Sequence, residues 1–64
     1  MRRQIKVLET TETVTVVATD SEGTYKVVWH RRDGLPDEEF HVTSDSDEAV
    51  DEAVAEDLKR RLGP

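Results

Sequence analysis

Two histidines and one glutamate near the middle of the chain have the side chains best suited to binding a metal. His30 and His41 are the two histidines of this 64-residue sequence, and Glu39 lies between them. If His30 pairs with Glu39 across a β-hairpin, His41 becomes a diagonal neighbour at roughly 7–8 Å. Zinc and non-haem iron favour two imidazoles and a carboxylate. We therefore take His30, Glu39 and His41 as candidate metal ligands, but an exposed Glu–His pair is the simpler explanation and we expect no cofactor.

Acidic side chains form the second candidate site. The net charge of −6 divides into +2 for residues 1–32, −11 for residues 33–57 and +3 for residues 58–64. Glu48, Glu52 and Glu56 lie four residues apart on the predicted helix, so they repel one another instead of forming salt bridges. Such a surface suits a basic partner protein, or imitates nucleic-acid phosphates. Acids also favour the first turns of a helix and keep a small domain soluble. The candidate partner-binding residues are Glu48, Asp51, Glu52 and Glu56.

Catalytic chemistry has little support in the sequence. The chain contains no cysteine, which excludes disulfides, thiolate metal sites and cysteine nucleophiles together. Its three glycines are all explained by turns and a helix end, so we expect no glycine-rich phosphate loop. The carboxylates of residues 37–39 lack the desolvated pocket that acid–base catalysis requires. We expect a protein that is not an enzyme.

Alternation of apolar and polar residues predicts antiparallel strands from Ile5 to Val42. Residues 20–23 form a turn that begins with Asp and ends with Gly. Pairing across this turn produces one wholly apolar face and one half-solvated face. The predicted apolar pairs are Ala18 with Tyr25, Val16 with Val27, and Val14 with Trp29.

Two further hairpins extend this sheet. The first pairs Ile5 with Val16 and Val7 with Val14 across residues 9–12, which contain no Gly, Asn or Pro. The second is centred on Gly34 and Leu35, because Gly at the first central position suits a type II′ turn. It pairs Trp29 with Phe40 and Val27 with Val42, and it places Arg31 opposite Glu38.

From Asp45 the apolar period changes to that of a helix. Val50, Val54, Leu58 and Leu62 recur every four residues, which predicts an amphipathic helix of about 17 residues. Ser44 or Ser46 can cap its start, and Gly63 with Pro64 ends it. The expected architecture is one α+β domain over residues 1–64, a three- to four-stranded antiparallel β-meander with a C-terminal helix on one face. Its expected core contains Trp29, Phe40, Val16, Val27, Val54 and Leu58.

The order of elements in residues 13–62 resembles that of AP2-type DNA-binding domains and of the amino-terminal domains of some tyrosine integrases. The junction from Phe40 through Ser44 into Glu48 and Ala49 carries this resemblance. It implies a sheet laid in the DNA major groove. The outer sheet face of this chain departs from that pattern, because it offers threonine, valine and lysine where arginines would be needed. The net charge also opposes phosphate binding, so we expect no nucleic-acid partner.

The sequence thus predicts a stable, non-catalytic α+β domain without a specific activity. Every local preference agrees with the predicted fold, as expected of a de novo designed protein without a biological function. The acidic composition equally suits a natural, cytoplasmic protein of an acidic or halophilic proteome, and the alternative function is binding of a basic protein. We expect no membrane segment and a monomer. Val17, Val28 and Leu8 could instead form a dimer through the outer sheet face.

Overall fold

The computed structural model describes residues 1–63, which form four strands followed by a helix. Strand β1 spans Arg2–Val7, β2 spans Thr10–Ala18, β3 spans Thr24–His30 and β4 spans Glu38–Thr43. They form one antiparallel sheet in the order β1-β2-β3-β4. A 3₁₀ turn at Asp47–Ala49 leads into helix α1 at Val50–Leu62. This ββββα meander confirms the predicted fold class.

The central hairpin has the predicted register. Val14 pairs with Trp29, Val16 with Val27, and Ala18 with Tyr25. The turn is closed by hydrogen bonds from the Thr24 amide to the Ser21 carbonyl at 3.0 Å and from the Thr19 amide to the Thr24 carbonyl at 3.2 Å. The alternating residues and the turn residues therefore specified both strands correctly.

The first hairpin is tighter than predicted. Ile5 pairs with Glu12 and Val7 with Thr10, so two residues, Leu8 and Glu9, make the turn. The predicted pairing of Ile5 with Val16 was wrong by four residues. A two-residue turn is the favoured hairpin connection, and here it extends the ladder to a bond from the Val16 amide to the Met1 carbonyl at 2.9 Å. The shift is even, so the apolar side chains stay on the same face.

The third hairpin turns at Asp33 and Gly34 rather than at Gly34 and Leu35. Both turn residues have positive φ, 59° and 75°, as a type I′ turn requires. The Leu35 amide donates to the Arg32 carbonyl at 3.1 Å. In sequence, Asp-Gly is the strongest short hairpin signal, and it outweighs the type II′ preference of Gly34.

This different turn shifts β4 by two residues against β3. Val27 pairs with Phe40, Tyr25 with Val42 and Trp29 with Glu38. The predicted pairs of Trp29 with Phe40 and of Val27 with Val42 were therefore wrong. The shift is again even, so Phe40 and Val42 remain on the apolar face.

Replacing Gly34 with alanine is expected to lower the free energy of unfolding by about 1 kcal/mol. An added Cβ at this position meets no atom within 4 Å, so the loss comes from the positive φ alone. Gly34→Asn is the matched control, because asparagine tolerates the left-handed region. Urea unfolding checks both variants. An equal loss in the two would contradict a cost that depends on φ.

Helix α1 is shorter than predicted because the chain first makes the 3₁₀ turn. The Ser46 side chain accepts a hydrogen bond from the Ala49 amide at 3.3 Å and so caps the 3₁₀ turn. Helix α1 itself has Ala49 as its N-cap without a side-chain hydrogen bond, so the prediction that Ser44 or Ser46 caps this helix was wrong. At the other end the Gly63 amide donates to the Lys59 carbonyl at 2.9 Å. The predicted role of Pro64 in ending the helix lies outside the described residues.

The core lies between the apolar face of the sheet and one side of α1. The helix approaches β1 and β4, the two edge strands, most closely. All six predicted core residues are buried, and they are joined by Ile5, Val7, Val14, Val42 and Val50. Leu62 continues the apolar period of the helix, but 41% of it is exposed.

Candidate functional site

The exposed side of α1 and of the 3₁₀ turn before it carries the four acids that the sequence singled out. Val50, Val54 and Leu58 face the core. The helical period therefore turns Glu48, Asp51, Glu52 and Glu56 to solvent, and all four are exposed. Placement of these acids on the outer side of the helix is as predicted.

The structure adds a groove beside this helix. An open depression of about 590 Å³ runs between α1, the end of β4 and the turn that joins β2 to β3. We call it the acidic groove. Its carboxylates are Glu22, Asp45, Glu52 and Glu56, and the small residues Gly23, Ala49 and Ala53 also line it. Glu22 was not considered as a candidate at all, because only the tertiary structure brings the β2–β3 turn beside the helix. Asp45 was not among the four candidate residues, although it lies just before the helix in sequence.

Lysines lie beside one edge of the acidic groove, because Glu52 and Glu56 also line a second depression with Lys6 and Lys59. Within residues 1–63, none of the four carboxylates of the acidic groove forms an ion pair. Glu48, which precedes Glu52 by four residues, also forms no ion pair within residues 1–63. Like charges so placed repel one another by a few tenths of a kcal/mol per pair (~0.2–0.5). The groove therefore holds four carboxylates whose charge is not neutralised by an ion pair in the described part of the chain.

Acids elsewhere on the helix are held by side chains of the same chain. Asp51 accepts a hydrogen bond from Arg3 at 2.6 Å, so it belongs to the contact between α1 and β1 rather than to the groove. Asp57 binds Arg60 at 3.3 Å and also binds Arg61. Of the four candidate residues, Asp51 alone is thus tied into the fold.

Two pKa shifts accompany these contacts. The hydroxyl of Tyr25 donates a hydrogen bond to Asp47, and this bond raises the pKa of Tyr25 above its usual value. The hydrogen bond to Asp57 raises the pKa of Arg61, against the opposing effect of desolvation. Arg61 also contacts Glu38. Arg31 lies 4.0 Å from Glu38, so the predicted ion pair is present, but the predicted position of Glu38 opposite Arg31 was wrong because Glu38 pairs with Trp29. These groups stabilise the fold and none lines the acidic groove.

The candidate metal ligands are not paired as the sequence suggested. Glu39 pairs with Val28 and His41 with Lys26, because the third hairpin is shifted by two residues. The ring of His30 instead bridges two other side chains. Its Nε2 lies 2.6 Å from the Thr15 hydroxyl and its Nδ1 lies 3.1 Å from the Asp37 carboxylate. Among residues 1–63, no group of three or more His, Asp or Glu side chains is arranged to hold a metal ion.

Sequence reasoning missed one buried acid, Glu12. Only 5% of it is exposed, and it lies on the apolar face opposite Ile5. It accepts a hydrogen bond from the indole N–H of Trp29 at 3.0 Å and is 3.4 Å from Arg32. Glu12 is in phase with Val14 and Val16, which was the available signal for its burial. This cluster stabilises one end of the core.

The outer face of the sheet has a different character from the acidic groove. It carries Arg2, Lys6 and Lys26 among threonines, together with Glu39 and both histidines. Val17 is 44% exposed there, whereas Leu8 lies in the β1–β2 turn and not on this face. The predicted apolar group for a sheet-face dimer therefore loses one of its three members.

Helix α1, the one α-helix within residues 1–63, lacks the length and the apolar character needed to cross a membrane. Comparison of the chain with protein-family models, with curated proteins and with solved structures found no match.

Proposed function

We propose that this protein is a non-catalytic binding domain that engages a basic segment of a partner protein in its acidic groove. The observation that carries the proposal is the convergence of Glu22, Asp45, Glu52 and Glu56 on one open groove, where none of them forms an ion pair within residues 1–63. A partner that supplies lysine or arginine would relieve their mutual repulsion. Electrostatic complementarity of this kind speeds association and selects the partner.

The shape of the groove favours an extended basic segment over a small substrate. It is open to solvent along its length, and its small side chains leave room for the stems of long cationic residues. Catalysis by carboxylates requires enclosure that separates their pKa values. A groove open to water provides attraction without that enclosure, which supports the non-catalytic part of the proposal.

Nucleic acid fits the charges of this protein less well. The three cations of the outer sheet face share it with Glu39. Phosphate binding depends on several cations acting together. The opposite side of the molecule carries the acidic groove, which would repel the same ligand.

Reversing the groove charges is expected to abolish binding of a basic probe. In the triple variant Glu22→Lys, Glu52→Lys and Glu56→Lys, each exchange adds two charges, so the net charge rises from −6 to 0. Three exposed charge pairs of up to about 1 kcal/mol each correspond to roughly a 10- to 100-fold loss of affinity. Fluorescence anisotropy with labelled octalysine at about 20 mM and 200 mM NaCl measures this change.

A charge-matched variant controls for net charge. Glu9→Lys, Asp20→Lys and Glu39→Lys also bring the net charge to 0, but none of these residues lines the groove. We expect this variant to keep most of the affinity, and both triples to unfold within about 1 kcal/mol of the parent. An equal loss of octalysine binding in the two triple variants would show that octalysine responds only to the net charge of the protein and not to the acidic groove. That result would favour the competing proposal of a domain, designed or natural, that folds without a partner.

A further inference from the structure

The end of the molecule opposite the β2–β3 turn exposes three leucines. Leu8 in the β1–β2 turn is 57% exposed, Leu62 at the end of α1 is 41% exposed, and Leu35 after the β3–β4 turn is 49% exposed. Leu62 lines one depression together with Leu8 and another together with Leu35, and the second is also lined by Arg31, Arg32 and Asp33. We call Leu8, Leu35 and Leu62 the leucine strip.

Leu8 is placed where a leucine is disfavoured in two ways. Its φ is +55°, in the left-handed region that glycine and asparagine adopt far more readily. Its side chain also gains little burial within the monomer. A residue held in an uncommon backbone conformation with its apolar side chain in water suggests a role outside the monomer.

The charges around Leu8 indicate what covers the strip. The depression beside Leu8 is lined by Lys59 and Arg60 as well as by Glu56, and Glu9 follows Leu8 in the turn. These charged residues include two cations and two anions. A partner surface that carried charges of a single sign would therefore be repelled by two of the four. A second copy of the chain, related by a two-fold axis, presents anions to cations and cations to anions.

We propose that the leucine strip is a self-association surface through which two copies form a two-fold dimer. In this dimer the apolar strips face each other and Glu9 of one copy lies near Lys59 of the other. The two short dimensions of the molecule are 21 and 19 Å, so an end face covers roughly 400 Å², about half of what each partner buries in a standard interface. The dimer is therefore weak and dissociates on dilution.

Sedimentation equilibrium from about 10 μM to 1 mM tests the dimer. The average mass of the wild-type protein is expected to rise from 7.3 kDa towards twice that value. Leu8→Asn is expected to remain monomeric over this range. Its melting temperature at low concentration should be unchanged or higher, because asparagine suits the turn. A wild-type protein that stays monomeric at 1 mM would overturn the proposal.

Two controls distinguish association through the leucine strip from association through the outer sheet face and from non-specific association. Val17→Thr removes the exposed valine of that face while keeping a strand-forming residue, and it should leave association unchanged. Glu9→Lys and Lys59→Glu should each weaken self-association, whereas an equal mixture of the two variants should form heterodimers. If Val17→Thr dissociates the dimer, or if the mixture associates no better than either variant alone, the leucine strip is not the interface.

Discussion

Truncating Leu58 to alanine is expected to lower the free energy of unfolding by about 2–5 kcal/mol. The side chain is fully buried against the sheet, where it joins the core with Val54 and the strand valines. Its removal forfeits the transfer free energy of the lost atoms and leaves a cavity. A domain of this size has only about 3–5 kcal/mol in reserve, so the variant is expected to be largely unfolded at room temperature.

Leu62→Ala is the matched control for this prediction. Leu62 occupies the same period of α1 one turn later, but 41% of it is exposed. Circular dichroism during urea unfolding, at concentrations that keep the protein monomeric, should show a loss below about 1 kcal/mol. A similar loss in both variants would mean that the helix end is buried as deeply as its centre, contrary to the structure.

Replacing Glu12 with alanine is expected to have the second largest effect. The indole N–H of Trp29 loses its acceptor inside the core, which costs about 1–3 kcal/mol. The Cγ methylene of Glu12, which alanine lacks, contributes about 0.8 kcal/mol in addition. Arg32 is 58% exposed and keeps its hydration, so its loss of a partner adds little.

Glu12→Gln distinguishes the hydrogen bond from the charge. The amide oxygen of glutamine can still accept from Trp29, so this variant should lose less than about 1 kcal/mol. Trp29 is the only tryptophan of the chain, and its fluorescence during unfolding measures both variants directly. If glutamine destabilised the fold as much as alanine, the contact with Arg32 rather than the indole bond would dominate.

The candidate site was partly predictable from sequence. The apolar period of Val50, Val54 and Leu58 is sufficient to place Glu48, Glu52 and Glu56 on the solvent side of a helix. It contains no information on which turn lies beside that helix. Glu22 joined the groove only because the helix packs across the sheet next to the β2–β3 turn.

The sequence by itself determined the four strands, the helix and the face that each residue occupies. Side chains alternate along a strand with a period of two, so any even shift of register leaves the apolar face intact. Alternation therefore could not distinguish the predicted pairing of Ile5 with Val16 from the observed pairing with Glu12.

Tertiary structure decided what alternation leaves open. The tight turns at Leu8–Glu9 and Asp33–Gly34 selected one even register from several. That choice separated Glu39 from His30 and brought Asp37 to the His30 ring instead. Packing then buried Glu12 and left Leu62 exposed. The contact of Glu12 with Trp29 and the exposure of Leu62 depend on distances between segments far apart in the chain, which residue types alone do not encode. The Asp33–Gly34 turn, by contrast, has a local signal in its Asp-Gly pair.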